Sequence, residues 1–469
     1  MSAELLLKVL PFVSLVFALM FGACLGSLVN VLVYRLPRGL DVVRPSSKCP
    51  SCNHVLTWRE NIPILGWLIL GGRCRFCKAK ISPEYPIVEA FVALGFVAWY
   101  YVAYIMPPDA ALWGVHVGAM RPDWGLNGFA RTWPMYVSQV ILFGCLTAMT
   151  IIDARTCTIP LVLAWVPTAV ALVLHTGYGV WVEHFSKLGA LRYTTPGWDW
   201  TIPTPGEHGW RWIGAAIGGG AGVILANVLL WTGLVKRSFE GYEAWEKGEY
   251  AKRGLKWPGD EASGSDGDAT GSDTGATDSG TGAASQSASD DPTELWIQYP
   301  YARREMAREL LFVGPIVALA LAGAAIAGRM AGPWGFDHAT GEVVSASIAP
   351  LWLRVVAGAL LGYLVGGGVV WGTRILGSLA FGKEAMGLGD VHLMAAVGAT
   401  LGWIDATLAF FGAAFVGLGW ALVTSVFGSL KRAMPYGPFL AVSTVLVVLL
   451  RPAIEVGLGL LGFGGARLP

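Results

Sequence analysis

Apolar segments of near membrane-spanning length recur along the whole chain, at about 5–33, 87–106, 134–152, 159–177, 212–235, 309–329, 350–376, 391–403, 405–429 and 436–457. A helix needs about 20 predominantly apolar residues to cross the hydrocarbon layer, and inside that layer its backbone polar groups must be satisfied by the helix itself. The pattern predicts an all-α polytopic membrane protein of about 8–10 transmembrane helices. Segment 391–403 is short and reads as half-inserted or tilted. Counting it gives ten crossings and returns both termini to the same, outer face. The composition fits this class: 54% of residues are hydrophobic, 14% are charged, and there are 62 glycines and 21 tryptophans. Glycine lets helices approach closely in lipid and tryptophan favours the interface. The first apolar stretch is too long for a signal-peptide core and follows Glu4 rather than a basic region, so it reads as a retained span.

Between the first two apolar segments lie four cysteines, Cys49, Cys52, Cys74 and Cys77, as two CxxC pairs separated by 21 residues. Two such knuckles supply the four soft ligands of a tetrahedral structural zinc, and a loop of this length has little else to hold it folded. Structural disulfides are the alternative, but they require an oxidising compartment. The local charge argues against that. Nine basic residues (Arg35, Arg38, Arg44, Lys48, Arg59, Arg73, Arg75, Lys78, Lys80) crowd the loop, and basic loops stay on the cytosolic side. The expectation is a small cytosolic zinc-knuckle module, with the N-terminus outside. Cys24, Cys145 and Cys157 lack ligand spacing and read as packing residues.

The resulting division is a first transmembrane helix at 1–34 and the four-cysteine zinc module at 35–86. Transmembrane helices with outward loops 107–133 and 178–210 fill 87–235, a cytosolic insert occupies 236–308, and further transmembrane helices run through 309–469. Within the insert, 259–291 is an acidic Ser/Gly/Asp/Thr tract without apolar periodicity, which reads as a disordered linker. Ahead of it, Arg237 to Trp257 carries Phe239, Tyr242, Trp245 and Tyr250. This stretch suits a helix lying on the headgroups, or ordinary partly exposed aromatics. A net charge of +1 gives no case for nucleic acid.

Two aspartates close apolar runs at the inferred cytosolic boundary: Asp153 in MTIID and Asp390 in GLGD. Taken singly, each reads as a solvated terminal charge, or Asp390 as a helix N-cap. The pair reads differently, because Gly387 and Gly389 permit a close backbone approach that brings one carboxylate alongside the other. Two such carboxylates share a proton, one activating water while the other protonates or polarises a scissile carbonyl. That is aspartic protease chemistry.

These residues sit within a longer set of blocks: GACLGSLVNVLVYRLP (22–37), CPSC, WRENIPILGWLILGGRCRFC and ISPEYPIVEA (49–90), IIDARTCTIP (151–160), GKEAMGLGDVHLMAAVGATLGW (382–403) and PYGPFLAV (435–442). Their order and content resemble the bacterial type IV prepilin peptidases over about half the chain. The resemblance implies a multi-pass protein of the bacterial inner (cytoplasmic) membrane with its active site at the cytosolic face. It implies removal of the leader of type IV prepilins or type II secretion pseudopilins, and N-methylation of the new terminus by S-adenosylmethionine. Asp153 and Asp390 take the catalytic positions, Gly387 and Gly389 support the GxGD motif at 387–390, and the four cysteines take those of the zinc module. His392 and Leu161 stand where the family commonly carries a lysine and an aspartate; neither removes a carboxylate. The chain is longer than the family pattern by loop 178–210, one helix pair and the acidic tract. No glycine-rich nucleotide fingerprint locates the S-adenosylmethionine site. The rival classes are a GxGD protease for other membrane helices, a transporter and a zinc-bearing adaptor. The zinc module counts against the first, the span-end placement of both aspartates against the second, and idle carboxylates against the third.

Overall fold

The computed structural model describes residues 3–44, 46–49, 51–112, 116–185, 207–254, 299–331, 334–338, 342–345, 349–426 and 435–460. The acidic tract 259–291 and most of loop 178–210 lie outside the described residues. The helices are α1 (Ala3–Arg35), α2 (Leu65–Ile69), α3 (Glu84–Tyr100, continuing as a π-helical turn to Ile105), α4 (Phe129–Thr156), α5 (Leu161–His184), α6 (Glu207–Trp231) and α7 (Tyr242–Lys252). After these come α8 (Ala302–Met330), α9 (Leu351–Phe381), α10 (Leu388–Leu401), α11 (Trp403–Val426), α12 (Gly437–Leu449) and α13 (Arg451–Leu460). A hairpin of β1 (Trp334–Asp337) and β2 (Glu342–Ser345), pairing Trp334 with Ser345, links α8 to α9.

The protein is an all-α polytopic membrane protein. Among the described residues, eight helices are long and apolar enough to cross a membrane: α1, α3, α4, α5, α6, α8, α9 and α11. Helices α12 and α13 qualify only as a pair bent by 83°. The segment expected at 391–403 forms α10, whose 14 residues span roughly 21 Å, short of a full crossing. Phe12, Phe21, Leu311, Leu321, Phe415 and Leu422 are all exposed on the long helices. Such apolar exposure suits lipid rather than water.

Small residues set the helix spacing. Gly214, Gly218 and Gly222 form one stripe of α6 along α8, where a methyl on Gly218 would lie 2.0 Å from the Leu319 carbonyl oxygen. Gly362 of α9 and Gly398 of α10 meet the same way, each methyl 2.0 Å from the other's carbonyl oxygen. With no hydrophobic force between helices in lipid, close backbone contact of this kind supplies the association. The packed core runs through α3, α4, α9, α10, α11 and α12, centred on Met149, Ile152, Leu393, Met394 and Leu440.

The aromatics of the stretch before the acidic tract are not exposed singly. Phe239, Tyr242 and Tyr299 are buried together with Met306 and Ile375, and Trp245 packs against them. Four aromatic rings and two aliphatic side chains remove more apolar surface from water by meeting than by lying separately on a surface. Tyr250 has no place in that cluster.

Candidate active site and cysteine cluster

The two CxxC knuckles share one local design. The Cys49 N–H donates to the His54 carbonyl (2.9 Å) and the Asn53 N–H to the Cys49 carbonyl (2.9 Å); Cys74 with Ala79 (2.9 Å) and Lys78 with Cys74 (3.0 Å) repeat the pattern. Asn53 and Lys78 adopt φ of 55° and 59°, the left-handed conformation that turns each knuckle back on itself. The bridges Lys48 to Val55 and Arg73 to Lys80 close the two turns. All four Sγ atoms lie within 4.8 Å of one another, with Cys49 and Cys77 at 3.7 Å and Cys52 and Cys74 at 4.0 Å. Zinc–sulfur bonds of ~2.3 Å in a tetrahedron put sulfurs roughly 3.8 Å apart, so this cluster can hold a metal ion.

Electrostatics point the same way. Burial alone would raise the Cys49 thiol, but the Cys52 and Ser51 amides and the neighbouring thiols outweigh it and leave the group at about 6. The His54 amide lowers Cys52, yet burial and the crowding thiols of Cys49, Cys77 and Cys74 push it up to about 11. One thiolate forms readily and its neighbours then resist ionising. A dication removes that conflict.

The module is joined to the bundle by residues whose role the sequence did not reveal. Glu89, buried on α3, accepts the Ile64 N–H at 2.6 Å and holds that residue at φ 61°, in a conformation β-branched side chains avoid. Asn30 of α1 donates to the Tyr85 carbonyl at 3.0 Å. Glu84, at the start of α3, pairs with Arg155 near the end of α4. The cysteine module and the end of α4 that carries Asp153 therefore share one end of the bundle.

Asp153 and Asp390 meet at that end. Asp153 lies in the last turn of α4, which stops where Cys157 takes φ 50° and returns its N–H to the Asp153 carbonyl at 2.8 Å. Asp390 lies in the first turn of the short helix α10. Both side chains are buried, and Asp390 lies close enough to Asp153 to feel its charge. Gly437 lies against the Asp153 carboxylate and Gly387 beside that of Asp390, where a methyl on each would lie 2.5 Å and 3.8 Å from an Oδ2. Ile159 packs against Gly389 and Gly437: a methyl on Gly389 would lie 2.8 Å from its Cβ, and one on Gly437 would lie 3.3 Å from its Cδ1 and 2.5 Å from Asp153 Oδ2. Glycine is required at 389 and 437 because other backbone and side-chain atoms already occupy the space of a Cβ. Three sequence blocks, IIDARTCTIP, GLGD and PYGPF, thus converge on one pair of carboxylates. Just outside the span, burial and then the Asp153 charge push the Cys157 thiol up.

The sequence marks Glu84 and Glu89 only as helix-start charges closing the cysteine module, and it singles out neither Gly437 nor the buried Arg374. Arg374 carried a readable signal, a charge inside the apolar run of α9, since such residues are costly in a membrane and rarely idle.

A polytopic membrane protein with a four-thiol module and two facing carboxylates at the same end is the frame for comparison. Residues 20–103 match the Bacterial Peptidase A24 N-terminal domain, and residues 315–422 match the Type IV leader peptidase family. The prepilin leader peptidase/N-methyltransferase of Myxococcus xanthus (strain DK1622) is 51% identical over 83 residues, 18% of this chain and 25% of that protein. Those of Klebsiella pneumoniae and Aeromonas hydrophila are 39% and 37% identical over 110 and 141 residues, covering 22% and 25% of this chain and 47% and 46% of theirs. The chain therefore spans a quarter to about half the length of these curated relatives. No solved structure is matched. Two separate stretches of the chain thus resemble the N-terminal and peptidase domains of the type IV leader peptidases.

Proposed function

We propose that this protein is an aspartic endopeptidase of the bacterial inner membrane that removes the leader of type IV prepilins or type II secretion pseudopilins, and that it N-methylates the residue so exposed. One observation carries the reading: Asp153 and Asp390 are buried close together, around Ile159, Gly389 and Gly437, at the end of the bundle that bears the basic cysteine module. If that end faces the cytosol, as the basic loop predicts, the carboxylates stand at the depth where a prepilin's basic leader leaves its apolar helix. Two carboxylates this close hold one proton between them. The ionised member takes a proton from water as the water oxygen bonds to the scissile carbonyl carbon, while the protonated member donates to the carbonyl oxygen; on collapse the C–N bond breaks, the first carboxyl gives its proton to the leaving amine, and the second recovers one from the intermediate's hydroxyl.

Zinc, held by Cys49, Cys52, Cys74 and Cys77, would supply folding free energy to the module and take no part in hydrolysis. S-adenosylmethionine would supply an electrophilic methyl group to the freed amine. An open cleft of about 350 Å³ between the end of α1 and the module offers the ring of Trp58, the hydroxyls of Ser46, Ser47 and Thr57, and the Asn61 amide. An aromatic face beside several hydrogen-bonding groups suits a nucleoside, and we assign the cofactor to that cleft.

The test is mass spectrometry of the N-terminus of a prepilin co-expressed with the protein. A terminus shortened by the leader and heavier by one methyl group supports both activities. An intact leader overturns the peptidase, and cleavage of an unrelated single-span protein at an equal rate would favour a general intramembrane protease.

A further inference from the structure

We propose that Arg374 is a positioning residue for Asp390, acting through the Met386–Gly387 peptide bond, and that α8 braces it through Glu309. The inference rests on the reading of Asp390 as catalytic. Arg374 is completely buried near the end of α9. Its Nη1 donates to the Met386 carbonyl and, at 2.6 Å, to Glu384. Gly387, in the same Met386–Gly387 peptide unit, lies beside the Asp390 carboxylate, whose Oδ2 is 3.8 Å from where a methyl on Gly387 would sit. A planar peptide cannot turn its N–H without turning its carbonyl, so fixing the oxygen fixes the backbone that Gly387 presents to Asp390. The guanidinium is also near enough for Asp390 to feel its charge directly.

Arg374 is itself held from the other side. Its Nε donates to Glu309 Oε1 of α8 at 2.7 Å, and its guanidinium lies 5.2 Å from the centroid of the Phe239 ring. Glu309 is buried and also accepts from Ser238 Oγ (2.9 Å) and from Trp371 Nε1 (2.9 Å). One turn earlier on α8, Glu305 accepts the Phe239 N–H at 3.0 Å and pairs with Arg308 at 2.8 Å. Phe239 is held at φ 56°, a conformation unusual for a bulky residue and sustained only where its surroundings dictate it. The chain thus runs from the insert (Ser238, Phe239) and α8 (Glu305, Glu309) through Arg374 to the peptide that lies beside Asp390.

The experiment uses full-length protein in membranes with one prepilin substrate, comparing wild type, Arg374→Met, Arg374→Lys and Glu309→Gln. Each is assayed for kcat and KM and for amide hydrogen exchange across 383–391. Arg374→Met should lower kcat about 100-fold with KM within about threefold, the pattern of a misaligned catalytic group rather than lost substrate binding. Arg374→Lys should recover part of that loss. Glu309→Gln, nearly isosteric, should lower kcat about tenfold by freeing the guanidinium. Exchange at 385–390 should quicken in all three variants while α11 and α12 keep wild-type protection. If Arg374→Met does not fold, Arg374→Lys and Glu309→Gln decide the matter. Unchanged kcat and unchanged exchange in those two variants would overturn the proposal, and so would protection lost uniformly across the bundle. If wild type cleaves no prepilin, the peptidase reading fails, and the exchange measurements still decide whether Arg374 orders this loop.

Discussion

The cysteine module and the carboxylate pair share one end of the molecule but are built by opposite means. The module is local: both knuckles close on hydrogen bonds between residues five or fewer apart, and a metal would complete it. The carboxylate pair is assembled entirely by tertiary packing, its members drawn from α4 and α10 and set by Ile159, Gly389 and Gly437. A local site should fail alone when its ligands are removed, whereas a packed site should fail under small changes of shape. Removing the thiol ligands at this end of the bundle should therefore leave the carboxylate pair in place, and the reverse.

The largest expected effect breaks the packed site at its chemistry. Asp153→Asn and Asp390→Asn should each lower leader cleavage by about 10³-fold or more, because an amide can neither take nor share the proton. The double variant should be little slower than either single one, since groups that act as a unit do not add. Near wild-type cleavage by either single variant contradicts the pairing. A shape change should come next. Gly437→Ala places a methyl 2.5 Å from Asp153 Oδ2, and should cost roughly 10- to 100-fold in kcat with normal membrane insertion. Kinetics with one prepilin checks this, and an unaffected rate would mean that Asp153 need not hold its observed position.

On the module side, Cys52→Ser or Cys74→Ser should release the bound zinc, about one per chain in the wild type, and speed amide exchange across 46–81. Cleavage should survive better than methylation. A smaller effect reads the Asp153 charge directly. That charge raises the Cys157 thiol, so Asp153→Asn lowers it, enlarges the thiolate fraction at a fixed pH near 8, and should quicken alkylation of Cys157 in peptide-resolved mass spectrometry. Slower alkylation would reverse the sign and place the carboxylate elsewhere. The smallest effect is expected from deleting 259–291, which should leave the cleavage rate nearly unchanged because closure entropy varies slowly with linker length. A large, salt-independent loss would overturn the linker reading.

What the sequence made legible follows the same division. The apolar runs and the CxxC spacing are local patterns, and the eight long helices and the thiol cluster correspond to them. Asp153 and Asp390 could be singled out because each ends an apolar run, but that they meet depends on packing among α4, α10 and α12. Arg374 and Glu309 escaped notice because each looked like an isolated charge, and only the contact between α8 and α9 makes them a pair. The aromatics Phe239, Tyr242 and Trp245 recur every three residues, but their partner Tyr299 lies beyond the acidic tract. Their small core was therefore unreadable from either segment alone.

The most direct measurement crosses the two sites in one set of preparations: zinc content and prepilin cleavage, determined together for wild type, Asp153→Asn and Cys52→Ser. Asp153→Asn should retain about one zinc per chain and cleave nothing, while Cys52→Ser should lose the metal and still remove the leader. Loss of zinc in Asp153→Asn, or unimpaired cleavage by it, would contradict two independently built sites with the carboxylates as the hydrolytic centre.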